Sequence, residues 1–487
     1  MAPEPVGSQE RLISTYYDTP GLALKRRVLT LRVREQGGRF IQTVKAGDLA
    51  GASLLSRGEW EDVIADNRLH LEAPQSGAQL PEDIAGYLRP IFITDIARAT
   101  VEIEPLPGTP IEAAIDEGEI RVVGGAAVEP VSEIELELKS GDAAALYDIA
   151  LRLLEVAPVR IEIHSKAERG YCLVEGTAAS PPAFHAEPVV LDPDMTVEAV
   201  LQTIGRSCLA QMLRNEAAVL AAQPEGVHQM RVAVRRVRSA ISSLKKGLPA
   251  EDRRWVGEEL GWLAGTLGPA RNLDVFVTEL LPPTRAGLPD EPGWDDLATT
   301  LDRLRRAAYD RISEEILSKR FTATTLRLLR WLEAGGWCSC SGSEVAALPT
   351  AAIGEVAPRV LDRRWRRVRA RSKGFGRLTP QERHQLRIAT KKLRYTIELF
   401  ESLFEENDVQ KFVSKLKRLQ DDLGYANDVR VAHEFVTELF AETDPRSPAA
   451  HAWVGVLEWH DHVLARGERE LGKHLDRLNL ACPFWRE

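Results

Sequence analysis

The sequence predicts a two-domain α+β protein, in which an antiparallel β domain precedes an all-α domain containing a duplicated helical bundle. Three observations predict this order. Apolar and polar residues alternate with a period of two through residues 11–177, a 3.6-residue period dominates from residue 195 onward, and residues 178–193 are rich in proline and small side chains. We therefore expect a β domain over residues 1–177, a linker over 178–195 and a helical domain over 196–487.

Charged residues of both signs occupy the polar side of the predicted strands. The cations are Arg32, Arg34 and Lys45, and the carboxylates are Glu59, Glu61, Glu135 and Glu137. A sheet with its polar side in water explains any single strand. A closed sheet with this side inward instead lines a charged tunnel, where arginine and lysine bind a polyanion and carboxylates bind a divalent cation. Residues 143–156 are predicted to form a helix and residues 160–174 a last strand.

The helical domain has a basic row of side chains beside the apolar face of one helix. In residues 227–246, VHQMRVAVRRVRSAISSLKK, the helical period aligns His228, Arg231, Arg235 and Arg238. The segment contains no Asp or Glu, so these arginines lack a carboxylate partner on their own helix. A solvated face usually mixes charges of both signs and lies opposite the apolar face, so we expect an external anion here.

The same pattern occurs again 156 residues later. The basic row of this second segment consists of His384, Arg387, Lys391 and Arg394. The segment LGPARNLD at 267–274 has a counterpart, LGYAND, at 423–428, which begins 156 residues further on. Two matches at one offset indicate an internal duplication, with repeats over about 196–340 and 350–487.

Two more basic runs occur in the second repeat. Residues 359–377 contain nine arginines and lysines and a single acid, and Lys411, Lys415 and Arg418 share one helix face. The helical domain offers no paired carboxylates beside a nucleophile, no glycine-rich phosphate loop and no His/Cys cluster. The two histidines are poor candidates for metal ligands, because the neighbouring arginines repel a cation.

Charge and composition support a protein with one strongly cationic region. The 487 residues carry a net charge of −9. The first 190 residues hold 18 Lys and Arg against 30 Asp and Glu, whereas the remainder holds 45 against 42, so positive charge gathers in the helical part. Five scattered cysteines, no signal-peptide pattern and no long apolar run predict a cytoplasmic protein without membrane attachment.

Residues 196–487 resemble the CHAD family through VHQMRVAVRRVRS at 227–239, LGPARNLDV at 267–275, and their counterparts RHQLRIATKKLRY and LGYANDV. The resemblance implies two four-helix sub-bundles around a basic groove or pore that binds inorganic polyphosphate and has no enzymatic activity. The expected polyphosphate-binding residues are His228, Arg231, Arg235, Arg238, His384, Arg387, Lys391, Lys392 and Arg394, with Lys415 added from the last basic run.

Residues 11–177 resemble the CYTH family, the triphosphate tunnel metalloenzymes, through TYYDTP, LRVR, TVKAG, RGEWE, EIELELKSGD and SKAERGY. The resemblance implies an antiparallel β-tunnel whose active members use Mg or Mn to hydrolyse triphosphates or to cyclise ATP. The implied phosphate-binding residues are Arg32, Arg34, Lys45, Arg98 and Lys166, and the implied metal ligands are Glu59, Glu61, Glu135 and Glu137. If the domain is active, Glu59, Glu61 and Lys45 are the expected catalytic residues.

Two departures from the CYTH pattern put catalysis in question. No strand with the pattern Glu-x-Glu-x-Lys is expected before Tyr16-Tyr17-Asp18, and Asp95 and Ala97 stand where the family commonly places arginines. An aspartate facing a polyphosphate opposes its binding. Either the domain is degenerate and needs no cofactor, or the sequence as given starts too far downstream.

The favoured function is therefore polyphosphate binding by the helical domain, in the cytoplasm or at polyphosphate granules. The alternative is a metal-dependent inorganic triphosphatase that converts tripolyphosphate to pyrophosphate and phosphate, with the helical domain recruiting the substrate. Nucleic-acid binding ranks last, because the basic runs carry few aromatic residues on which bases could stack. The sequence leaves the oligomeric state open.

Overall fold

The computed structural model describes residues 8–46, 58–177, 181–335, 337, 350–440, 444 and 446–486, without the side chains of residues 78 and 436–440. The chain divides into two compact units, Met1–Pro182 and Ala183–Glu487, and the boundary falls within the predicted linker. The predicted order is confirmed, because an antiparallel sheet precedes a helical region. In the described part of the chain, no helix has an apolar stretch long enough to cross a membrane.

The first unit is built on one antiparallel sheet of seven strands. The strands are β1 (Ser8–Asp18), β2 (Leu29–Gln36), β3 (Arg39–Ala46), β4 (Gly58–Ile64), β5 (Arg89–Ile103), β6 (Ile111–Val122) and β7 (Val128–Leu138). Their order in the sheet is β4-β3-β2-β1-β5-β6-β7. No hydrogen-bonded ladder among the described strands joins the edges β4 and β7, so strand pairing does not close the predicted tunnel.

The first strand lies at the centre of this sheet, where β1 pairs with β2 on one side and β5 on the other. This strand ends in Tyr16-Tyr17-Asp18 itself and does not have the pattern Glu-x-Glu-x-Lys, so the expectation that no strand of that pattern precedes these residues stays a prediction. Cross-strand partners share a side of the sheet, and Ser14 and Tyr16 pair with Arg34 and Arg32. On this side of the sheet β1 carries Glu10 and, at its end, the buried Asp18.

The described helices of this unit are α1 (Ala23–Arg26), α2 (Glu82–Ala85), α3 (Ala144–Val156) and α4 (Lys166–Glu175). The helix predicted over residues 143–156 is confirmed as α3. The strand predicted over residues 160–174 is wrong, because most of this segment forms α4. Ser165 and Glu168 form a reciprocal capping box at the start of α4, and the side of α4 that contains Ala167, Gly170 and Tyr171 is buried.

Helix α4 packs over part of the charged side of the sheet. Its Ala167 and Tyr171 join an apolar cluster that includes Phe92 and Ile120. The Tyr171 hydroxyl donates a hydrogen bond to buried Asp18 at 3.1 Å. The Asp18 carboxylate also accepts backbone N–H groups at the start of α1, which fixes both helices to the end of β1.

The second unit consists of helices. They are α5 (Val197–Arg214), α6 (Glu216–Leu220), α7 (Pro224–Leu244), α8 (Ala250–Thr266), α9 (Gly268–Val275), α10 (Leu281–Gly287), α11 (Trp294–Ile316), α12 (Lys319–Ala334), α13 (Ile353–Arg371), α14 (Pro380–Phe400), α15 (Glu406–Phe440) and α16 (Pro448–Asn479). Three pairs of helices start 156 residues apart, at residues 197 and 353, 224 and 380, and 250 and 406. The predicted duplication is therefore visible in the helix boundaries.

The two copies differ at the LGPARNLD and LGYAND segments. In the first copy, α8 ends at Thr266 and a new helix begins at Gly268, with Pro269 in its first turn. Proline lacks the N–H that a continuous helix requires, but it is tolerated in a first turn. Tyr425 takes the corresponding place in the second copy, where α15 passes through it as one helix of 35 residues.

Candidate functional site

The two duplicated basic helices, α7 and α14, pack against each other. Ser243 Oγ lies 3.1 Å from Thr396 Oγ1, and the Arg235 guanidinium lies 4.4 Å from the centroid of the Tyr395 ring. Around this crossing, basic side chains of four helices come together in what we name the basic groove. Its residues are His228, Arg231 and Arg235 of α7, Arg271 of α9, His384, Arg387 and Lys391 of α14, and Arg430 of α15.

Most of the central cations of this groove have no counter-charge. Within the described residues, none of Arg231, Arg235, Arg387 and Lys391 forms an ion pair with a carboxylate, and Arg231 donates only to the backbone oxygen of Ala264, at 3.1 Å. The Nε atoms of Arg235 and Arg387 are buried and have no hydrogen-bond partner. Because buried donors are nearly always paired, these nitrogens indicate the place of a missing acceptor.

The pKa values in the groove reflect burial among like charges. Burial, with Arg235 and Arg271 nearby, lowers the pKa of Arg231 to about 10. Burial, with Arg387 nearby, lowers the pKa of Lys391 to about 8. The pKa values of His228 and His384 are lowered by burial and by adjacent arginines, so both rings are neutral at pH 7. An anion relieves this repulsion, which favours its binding.

A carboxylate also lies near the groove. Burial raises the pKa of Asp428 even though Arg387, Lys391 and Arg271 favour its charged form. Its described hydrogen bond is a long one, 3.4 Å from the amide of Asn427. Asp428 therefore offsets the positive charge only in part.

A second set of charged side chains lies on one side of the sheet in the first unit. The strand register places Arg32 and Arg34 of β2, Thr43 and Lys45 of β3, Glu59 and Glu61 of β4, Arg98 of β5, Asp116 of β6, and Glu133 and Glu135 of β7 on this side. The cations lie mainly on the inner strands, between carboxylates on β4 and carboxylates on β6 and β7.

Arg34 is a partly buried cation of this side of the sheet that has no ion pair with a carboxylate among the described residues. Its only described side-chain hydrogen bond is to Ser14 Oγ, at 3.2 Å. Burial, together with Arg32 and Arg98, lowers its pKa to about 10. Arg32 reaches Glu59 and Glu61 only at 3.6 and 3.8 Å, and its buried Nε is unpaired. These two guanidinium groups can therefore accept an anion without first losing a strong ion pair.

Three carboxylates, Asp116, Glu133 and Glu135, form a group whose oxygens lie within 4.8 Å of one another. The Lys166 ammonium of α4 lies among them, 2.7 Å from Asp116, 2.7 Å from Glu135 and hydrogen-bonded to Glu133. Burial works against the charged form of Lys166, but these hydrogen bonds raise its pKa. Carboxylate oxygens are the ligands that Mg and Mn prefer, so the donor set fits such a metal once Lys166 withdraws.

Comparisons with known proteins match both units of the chain. The CYTH domain model matches residues 6–171, and the CHAD domain model matches residues 203–437. The chain consists of a CYTH domain followed by a CHAD domain. A crystal structure of the CHAD domain from the plant Ricinus communis matches with a TM-score of 0.50 and 26% identity, over 62% of this chain and 96% of that one.

Two curated relatives match parts of the chain. An inorganic triphosphatase of Haemophilus influenzae is 34% identical over 164 residues, which are 33% of this chain and 45% of the relative. The match thus spans less than half of that protein. An uncharacterized protein of Mycobacterium tuberculosis is 26% identical over 423 residues, which are 80% of this chain and 75% of the relative.

In the CHAD domain, four of the predicted residues are not among the central cations that lack a carboxylate partner. Arg394 is bound to Glu398 at 2.6 Å and to Gln420 at 3.1 Å. Arg238 and Lys415 are exposed. Lys392 lies among Arg364, Arg367, Arg371 and Lys245, a different set of cations. Sequence analysis missed Arg271, which the LGPARNLD segment contains but which only the packing of α9 beside α7 brings to the groove.

In the CYTH domain, the predicted metal ligands do not form one group. Glu59 and Glu61 lie on β4 and Glu135 lies on β7, at opposite edges of the sheet. Lys45 is bound to Glu59 at 2.8 Å, and Glu137 is bound to Lys139 at 2.9 Å. Of the four predicted ligands, the carboxylate group contains only Glu135. Its other members, Asp116 and Glu133, are cross-strand partners, which no spacing within one strand reveals.

Asp95 lies on the side of the sheet opposite to Arg98. It pairs across β1 with Ile13, whereas Arg98 pairs with Glu10. Its carboxylate accepts two hydrogen bonds from Arg11, at 2.8 and 2.7 Å. The prediction that Asp95 opposes phosphate binding is therefore wrong. Gly47 and Arg57 of the quoted CYTH motifs lie outside the described residues.

Proposed function

We propose that this protein binds inorganic polyphosphate through the basic groove of its CHAD domain. The observation that carries the proposal is the group of four cations, Arg231, Arg235, Arg387 and Lys391, which have no carboxylate partner in the described structure. Two of them hold buried N–H donors without acceptors. A linear polyanion supplies several acceptors at once, whereas a single small anion supplies few.

The groove suits a bare phosphate chain better than a nucleic acid. Single-strand binders gain about 1–3 kcal/mol for each base stacked on an aromatic ring. The aromatic ring at the helix crossing is Tyr395, and the guanidinium groups of Arg235 and Arg394 already lie over it. The groove therefore offers charge without a stacking platform.

The test of this proposal is a calorimetric titration of the full chain with long-chain polyphosphate at several salt concentrations. Phosphate contacts release counterions, so affinity falls as salt rises. For four phosphate contacts we expect the logarithm of the binding constant to fall with a slope of about −3 against the logarithm of salt concentration, on the scale of single-stranded nucleic acids. The absence of binding, or an affinity independent of salt, would contradict the proposal.

The low pKa of Lys391 predicts a pH-dependent affinity. This pKa is about 8 in the free protein, and bound phosphate raises it, so binding takes up a proton. Affinity is then highest below pH 8 and falls as the pH rises through the free-state pKa, by about tenfold between pH 8 and pH 9.5. Titrations at these two pH values measure the change.

The matched control for this pH dependence is Lys391→Arg, which keeps its charge across the range. Its affinity should stay nearly constant between pH 8 and pH 9.5. If affinity falls equally steeply with pH in the wild type and in this variant, the proton taken up on binding belongs to a group other than Lys391.

A second candidate function is inorganic triphosphate hydrolysis by the CYTH domain. It is favoured by the similarity to the H. influenzae inorganic triphosphatase and by the position of Arg32, Arg34 and Arg98 between two sets of carboxylates. The three guanidinium groups would bind and orient the phosphoryl oxygens of tripolyphosphate and neutralise charge in the transition state.

The carboxylate group of β6 and β7 would hold the Mg or Mn that this reaction requires. A bound divalent cation polarises a phosphoryl group and lowers the pKa of a coordinated water. In the protein alone, Asp116, Glu133 and Glu135 are held together by Lys166 and Arg98. Lys166 and Arg98 therefore keep the three side chains close to one another.

A further inference from the structure

The basic run of α13 contributes nothing to the basic groove described above. Along this helix, Arg364, Arg367 and Arg371 are spaced by three and four residues and therefore form one row. Arg359 and Arg366 lie on other sides of the helix and face Glu355 and Asp362, at 3.9 and 3.1 Å. Arg359 and Arg366 thus have carboxylate partners, whereas the row of Arg364, Arg367 and Arg371 has none among the described residues.

Arg364 anchors this row in the protein. Arg364 is buried, with only 6% of its surface exposed. Its Nη2 donates to Ser242 Oγ of α7 at 2.8 Å, and its Nε is buried without a hydrogen-bond partner. The adjacent Arg363 donates to the backbone oxygen of Ser243, at 3.4 Å. A buried guanidinium with an open donor is costly unless an acceptor is provided.

Two lysines from other helices complete what we name the α13 cluster, which consists of Arg364, Arg367, Arg371, Lys245 and Lys392. Lys392 lies on α14 and Lys245 follows the end of α7. Burial and the other four cations of the cluster lower the pKa of Lys392. Within the described residues, none of these five side chains forms an ion pair with a carboxylate. The cluster is therefore a second concentration of positive charge that lacks a counter-charge.

The helical bundle itself does not require this cluster. The duplicated helix α5 carries Cys208, Gln211 and Asn215 at the positions that lie 156 residues before Arg364, Arg367 and Arg371. All three residues are neutral and buried. The same fold is thus built in the first copy without a cationic row, which favours a ligand-binding role for the row in the second copy.

We propose that the α13 cluster is a second anion site, which binds a further stretch of the polyphosphate chain held in the basic groove. The inference rests on the proposed function of the CHAD domain. Lys391 and Lys392 are consecutive on α14, and one belongs to the groove while the other belongs to the cluster. One long polymer can therefore contact both sites, whereas a short polymer occupies only one of them.

The test is Arg367→Glu with Arg371→Glu, two exposed positions whose replacement leaves the buried Arg364 in place. Affinity for long-chain polyphosphate, measured by calorimetry, should fall by about tenfold or more, and affinity for tripolyphosphate in the groove should stay within about twofold. The matched control is Arg303→Glu with Arg311→Glu on α11, which changes the net charge equally on exposed positions elsewhere.

The outcomes separate this inference from the proposed function. Wild-type affinity for the long polymer in the Arg367→Glu, Arg371→Glu variant overturns the second site and leaves the groove proposal standing. Absence of polyphosphate binding by the wild type overturns both. A variant that loses binding to mixed-sequence single-stranded DNA, and keeps wild-type affinity for polyphosphate, assigns the cluster to nucleic acid and also overturns the inference.

Discussion

Reversing two charges in the basic groove, with Arg231→Glu and Arg387→Glu, is expected to lower the affinity for long-chain polyphosphate by at least about a hundredfold. A hydrogen bond to a charged group contributes about 1.5–3 kcal/mol. Losing two such contacts costs about 3–6 kcal/mol, which corresponds to a factor of about 10²–10⁴ in the binding constant. Calorimetric titration of the full chain measures the loss.

The same double substitution should leave the ligand-free fold close to its wild-type stability. Arg231 is buried beside Arg235 and Arg271, so a glutamate in its place replaces repulsion with attraction. Arg387 lies near Asp428, so a glutamate in its place adds a repulsion that offsets part of this gain. The lost hydrogen bond to Ala264 offsets about 1 kcal/mol of that gain. A melting temperature close to the wild-type value, together with lost binding, would therefore establish that the groove binds the polymer.

Its control is Arg303→Glu with Arg311→Glu, which makes the same change in net charge on the exposed side of α11. This variant should bind polyphosphate within about threefold of the wild type, since long-range charge effects are screened at physiological salt. Unchanged affinity in the groove variant would disprove the assignment of these arginines.

Replacing Arg34 with glutamine is expected to reduce tripolyphosphate hydrolysis by about 10²–10³-fold, the usual effect of removing one positioned group that stabilises transition-state charge. Arg34 has no ion-pair partner among the described residues, so its charge is available to a phosphate. Phosphate release in the presence of Mg or Mn, with a chelator as the blank, measures the rate. Wild-type release should disappear with the chelator.

The matched control for this experiment is Arg11→Gln, which removes an arginine from the opposite side of the same sheet. Arg11 pairs with Asp95 on the side of the sheet away from Arg34 and Arg98, so hydrolysis should be unaffected.

If the wild type releases no phosphate with either metal, the CYTH domain is not a triphosphatase under these conditions, and polyphosphate binding remains as the proposed function of the chain. If Arg34→Gln hydrolyses at the wild-type rate, the site lies elsewhere.

The carboxylate group shows which features of the sheet domain sequence patterns predict and which they do not. Alternation within a single strand correctly placed Arg32 and Arg34 on one side, because side-chain direction in a strand is a local property. The pairing of β1 with β2 and β5 brings Arg98 to the same side. Asp95 was assigned to the wrong side, since a motif position does not give the register of its neighbour strand. The contact between Asp116 and Glu133 exists only after β6 and β7 pair.

The segment after the sheet was assigned the wrong secondary structure for a different reason. Residues 160–174 contain enough alternating apolar residues to suggest a strand, yet the pattern Ser165-x-x-Glu168 is a helix-start signal. That local signal prevails because a helix buries Ala167 and Tyr171 on one side, against the apolar cluster around Phe92. Lys166 is thereby directed at carboxylates, although the sequence alone suggested a phosphate partner.

The sequence by itself determined the order of the two domains and the presence of two duplicated basic helices, because periodicity and helix composition are local properties. It did not give the helix boundaries, since α7 begins at Pro224 and thereby includes Glu225, which lies before the basic segment. Only the tertiary structure decided which cations lack a partner. Arg383 and Arg387 lie four residues apart on the same basic helix, but Glu468 of α16 neutralises Arg383, whereas the buried Nε of Arg387 has no acceptor. Whether a buried charge is paired depends on contacts between distant segments, and packing alone sets those contacts.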